Sequence, residues 1–184
     1  MVNYGFPKLK ESKTIVGAYK YSKIIRRIIM YDEIYPNPIH LEKSIYSIGN
    51  SVESDEKINR YYQWLIDNIP ESELTSEQRD HIRHFLVSIK EDKINHNNVL
   101  KIMYYQITGN TSTIIEKEFD EPKDFKEEIT AEFIRTLESI KRNRIIMFGI
   151  PSLYYRDLIF TIISDEIRHA FFYNHIFANL YTLT

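Results

Sequence analysis

The chain has 184 residues with 24 Lys plus Arg against 26 Asp plus Glu, a formal net charge of −2 that gives it no overall attraction to nucleic acid or an anionic membrane. It has no Cys, which excludes disulfides, thiolate zinc sites, iron–sulfur clusters and thiol nucleophiles. No apolar leader-like segment opens the sequence and no run of about 18 apolar residues occurs, so the expectation is a cytoplasmic protein without a transmembrane segment, and the scarcity of Gly (5) and Pro (6) favours long helices.

Residues 1–38 stand apart as an N-terminal basic arm. Up to Tyr31 they hold seven Lys or Arg and one acid, Glu11. Apolar residues at helical spacing between Ile15 and Tyr31 could form a short amphipathic helix, which would touch a membrane surface or a partner, or else pack back on the rest of the chain. Tyr35-Pro36-Asn37-Pro38 then interrupts any helix.

Residues 39–184 read as a four-helix domain. The first predicted helix covers about 39–69 and ends at Pro70. Thr75 with Gln78 three residues on is a capping box opening the second, which stops at Thr108-Gly109. A polar connection follows, and Asp124 with Glu127 opens the third helix, which ends near Phe148-Gly149. Pro151-Ser152 turns the chain into the fourth, which runs almost to the C-terminus.

Each helix carries an apolar seam of alternating three- and four-residue steps. Each seam is apolar at both ends and polar in the middle: Asp55 and Asn59 on the first, Lys93 and His96 on the second, Thr136 and Asn143 on the third, Glu166 and His169 on the fourth. At about 1.5 Å per residue the polar pairs fall at nearly one level in each helical hairpin. Burying each group alone would be costly, so the shared interruption predicts a polar layer at the centre.

The sharpest motif is Asp165-Glu166-Ile167-Arg168-His169. Glu and His at i and i+3 share a helix face, and carboxylate oxygen with imidazole nitrogen suits iron, manganese or zinc. The bland alternative is a hydrogen-bonded structural pair. Tyr62 and Asn143, also near the centre, read as satisfied core polar groups, and His81 with His84 as part of a solvated face.

Three stretches carry a family resemblance: Ser88 to Gly109 (SIKEDKINHNNVLKIMYYQITG), Tyr35 to Pro38 (YPNP) and Tyr155 to Phe177 (YRDLIFTIISDEIRHAFFYNHIF). They resemble rubrerythrin-like proteins of the ferritin-like superfamily. The resemblance implies an all-α ferritin-like four-helix bundle with a long crossover between the second and third helices. It also implies one or two iron or manganese ions, oxidoreductase chemistry on dioxygen or peroxide, an external electron donor and a homodimer.

Carried over by position, the resemblance makes Glu166, His169 and His96 ligands, with Asp55 where the first helix usually has Glu. The remaining carboxylate positions hold Lys93 and Thr136, and Asp92 or Glu132 could stand in for them. An ammonium at a bridging position would repel a divalent ion and neutralise the acids around it. The sequence therefore leaves two readings: a metal-binding protein using Asp55, Asp92, Glu132, His96, Glu166 and His169, or a metal-free scaffold whose centre Lys93 neutralises.

Overall fold

The computed structural model describes residues 38–113 and 120–181. The basic arm and its amphipathic segment lie outside the described residues. Among those described there are five helices and no strand: α1 (Pro38–Ser51), α2 (Asp55–Asp67), α3 (Ser76–Thr108), α4 (Phe125–Gly149) and α5 (Leu153–Tyr181).

Local chemistry sets three of these boundaries. The Thr75 hydroxyl accepts from the Gln78 N–H at 3.2 Å while the Gln78 side chain accepts from the Thr75 N–H at 2.8 Å, completing the expected capping box. Gly109 ends α3 at φ 72°, a left-handed conformation that only a residue without Cβ adopts cheaply. The Asp124 carboxylate caps α4 through the Glu127 N–H at 2.8 Å.

One boundary differs from expectation. The single helix expected over 39–69 is two, α1 and α2, broken at Val52–Ser54. Asn97 on α3 explains how the break is held. Its side-chain oxygen accepts from the Glu53 N–H at 2.9 Å and its amide donates to the Glu53 carbonyl at 2.8 Å. A side chain thus satisfies backbone groups that a continuous helix would have paired.

Cross-helix pairs give the helix directions. Gln78, Phe85, Lys93 and Gln106 on α3 meet Asn179, Phe172, Glu166 and Tyr155 on α5, so these two helices are antiparallel. Glu132 and Ser139 on α4 meet Tyr173 and Glu166, so α4 is antiparallel to α5 as well. Helices α3 and α4 therefore run in the same direction, and the end of one and the start of the other lie at opposite ends of the helical assembly. The most extensive contact is between α4 and α5, and α1 packs on both α4 and α3. Gly149 permits the α1–α4 approach, because a Cβ there would run into the Ser44 hydroxyl and the His40 carbonyl.

The core has two apolar ends. One gathers Ile58, Leu65, Ile82, Leu86, Ile129 and Ile176 with their neighbours. The other gathers Ile48, Leu100, Met103, Ile146, Ile159 and Ile162. Between them lie the buried polar residues His96, Thr136, Ser139, Asn143, Glu166 and His169. The interrupted seams of α3, α4 and α5 meet in this layer, whereas Asn59, expected there from the first helix, is exposed.

Candidate functional site

The polar layer is built chiefly by α3 and α5, which carry the same spacing: Asp92-Lys93-x-x-His96 and Asp165-Glu166-x-x-His169. Running antiparallel, the two segments brace each other. The His96 Nε2 lies 2.9 Å from Asp165 Oδ2, and the His169 Nε2 lies 2.9 Å from Asp92 Oδ2. Arg168 ties both aspartates together, at 2.7 Å from Asp92 and 3.0 Å from Asp165. The imidazole centroids are 6.0 Å apart.

On the same two segments, the Lys93 ammonium donates to both oxygens of Glu166, at 2.8 and 3.1 Å. The Glu166 side chain is 3% exposed and that of Lys93 is 21%. The Ser139 hydroxyl adds a longer bond to Glu166 at 3.4 Å. The Nδ1 atoms of His96 and His169 are buried without a hydrogen-bond partner, as are Thr136 Oγ1 and Asn143 Oδ1. The His96 Nδ1 is 3.9 Å from Glu166 Oε1, beyond a hydrogen bond.

Burial pushes the pKa of His169 down, outweighing the opposing pull of Asp92, so the ring is held neutral. Burial alone would raise Asp92, but hydrogen bonds from His169 and Arg168 win and hold its carboxyl below the usual range.

The other expected ligands are placed elsewhere. Asp55 is in the first turn of α2, its side chain about half exposed, and it accepts from Lys101 at 2.7 Å and Asn97 at 2.6 Å. Those bonds, the one from Lys101 first, lower its pKa. The break after α1 makes Asp55 a helix-opening acid rather than a mid-seam group, a place the macrodipole favours. Glu132 is buried as a ligand would be, but it pairs with Arg135 and accepts from Tyr62 and Tyr173, each at 3.3 Å. The two tyrosine hydroxyls lie 3.1 Å apart, and burial, first of all, raises both far above the ordinary phenol range. Asp92 supports His169 from behind.

Of the six expected ligands, then, the centre brings together His96, His169 and Glu166. Asp165 was missed as a functional residue, although the repeated spacing on α3 and α5 was a readable signal for it. Asn97 had no such signal, because its partners Glu53 and Asp55 are distant in sequence, and neither had the Ser139 bond to Glu166, 27 positions away.

A pair of iron or manganese ions in a bundle of this kind calls for carboxylates from all four helices beside two histidines. Here Asp55, Asp92 and Glu132 are committed to other partners, and Glu166 holds an ammonium. Among the described residues no three His, Asp or Glu side chains are grouped to hold an ion. As placed, these residues do not fit the two-ion centre. No protein-family model, curated protein or solved structure matches the chain.

A cavity of about 510 Å³ opens between α2 and α4 and reaches this layer, its inner wall including Lys93, His96, Asn143 and Glu166. No described helix is long and apolar enough to cross a membrane.

Proposed function

We propose that the chain is a rubrerythrin-like, ferritin-type bundle in which Lys93 supplies the positive charge that a metal would bring, and that it acts as a ligand-binding protein rather than a two-ion oxidoreductase. The observation that carries this is the Lys93–Glu166 pair, 2.8 Å long and beside the His96–Asp165 and His169–Asp92 pairs. The parallel course of α3 and α4 supports the ferritin-type half of the reading, since a crossover between those helices is what that bundle requires. The cavity that opens between α2 and α4 and reaches the polar layer supports the binding half.

The pair does the electrostatic work of a bound cation. Glu166 would be strained by burial without a partner, and the ammonium lies close enough to offset that cost. A single-ion reading draws on one further observation, the two unpartnered Nδ1 atoms. With Nε2 directed to an aspartate, each His leaves Nδ1 without a partner, the arrangement that metal-bound histidines use. That reading requires Lys93 to leave Glu166.

Metal content separates the two. Wild type, as purified and after anaerobic Fe(II) loading and desalting, should hold no stoichiometric iron, manganese or zinc, whereas Lys93→Glu should gain metal. One or two equivalents in wild type, lost in Glu166→Ala, would favour the metalloprotein instead.

A further inference from the structure

The cavity between α2 and α4 has polar groups that the bundle itself leaves unused. Two are acceptors on its inner wall, each more than nine-tenths buried. His96 is 8% exposed and directs Nε2 to Asp165, leaving Nδ1 without a partner and, in the tautomer that carries its proton on Nε2, as a free acceptor. Asn143 is 3% exposed and its Oδ1 has no partner. An orphaned buried acceptor costs free energy unless something donates to it. The third group is a donor. Arg142, on the same wall toward solvent, forms no ion pair among the described residues, and its one hydrogen bond is to Ser139 Oγ at 3.3 Å.

The Ser139 hydroxyl fixes the scale. It also receives the Asn143 amide at 3.4 Å and reaches Glu166 at 3.4 Å. The guanidinium, the Asn143 amide and the Glu166 carboxylate thus surround one hydroxyl, each pair no more than about two hydrogen bonds apart. A ligand meeting them needs an anionic group for Arg142 and, a few bonds away, N–H donors for Asn143 and His96. A guanidinium without a carboxylate partner is well suited to grip one presented by a ligand.

We propose that this cavity binds a small α-amino acid, its carboxylate on Arg142 and its ammonium toward Asn143 Oδ1 and His96 Nδ1. This rests on the lysine reading above, because it needs Lys93 and Glu166 to satisfy each other. A volume of about 510 Å³ also leaves room for a side chain.

The test is isothermal titration of the chelator-treated full chain with each of the twenty standard amino acids, then with the decarboxylated and deaminated analogues of the best binder. The expected result is saturable binding near one equivalent. Binding should fall at least about tenfold in Arg142→Met, whose exposed position spares the fold, and also fall with both analogues. Ser139→Ala should weaken it as well, with an unchanged circular dichroism spectrum. No heat with any amino acid overturns the proposal, as does undiminished binding in Arg142→Met or equal binding of the simple amine. A null titration with wild type still metal-free overturns the amino-acid site and leaves the lysine reading standing. Stoichiometric metal overturns that reading whatever the titration gives.

Discussion

Lys93 and Glu166 are worth most as a pair and cost most when separated. Lys93→Met would leave the Glu166 carboxylate buried without its ammonium, and breaking one side of a buried pair typically costs about 3–5 kcal/mol. The partial exposure of Lys93 places the expected loss near the lower end, about 3 kcal/mol. In Lys93→Met/Glu166→Gln the buried charge is gone, so urea unfolding should recover much of that loss. His169 sets a pH dependence of known sign. Its folded pKa is depressed by burial, although Asp92 and Glu166 favour its charged form while Lys93 opposes it. The unfolded chain therefore takes up a proton near pH 6.5 that the folded chain refuses. The stabilising contribution is complete above about pH 6.5 and is lost as pH falls from there toward the folded pKa. His169→Gln should flatten that part of the stability profile; an unchanged slope would show that the ring is not the titrating group.

Among the elements, the break between α1 and α2 and the contact between α1 and α4 are the sharpest dependences. Asn97→Ala removes the bonds to both backbone groups of Glu53 and one to Asp55, and should cost about 1–3 kcal/mol in chemical denaturation. Gly149→Ala should cost a similar amount, about 1–3 kcal/mol, because the new methyl meets the His40 backbone, which cannot rotate away as a side chain could. The helix starts at Thr75 and Asp124 and the stop at Gly109 were legible in the sequence because each is set by residues within a few positions of itself. The break at Val52–Ser54 was not. Its local signals are only Ser54 at the N-cap and the acids Asp55 and Glu56 after it, and the group that holds it, Asn97, is 44 positions away from Glu53.

For the whole molecule, the layering was legible and the pairing within the layer was not. Apolar seams with polar middles announced two hydrophobic ends and a polar centre, which the core clusters reproduce. Periodicity places a residue at a level and on a face, but does not choose its partner. Asp92 and Glu132 sit at the right level yet bond to His169 and Arg135, and Asp55 belongs to a helix end that the pattern did not reveal. If the Lys93 ammonium supplies the positive charge of this layer, as proposed, added metal should leave the folded chain unaffected. The most direct measurement is urea unfolding of wild type in EDTA and under anaerobic Fe(II), then Mn(II). A site binding only the folded chain would raise stability by about 2.7 kcal/mol at metal concentrations a hundredfold above its dissociation constant. Wild type should give superimposable unfolding curves and Lys93→Glu a metal-dependent rise; a rise of that size in wild type, abolished by Glu166→Ala, would mean that a bound metal, not Lys93, supplies the charge.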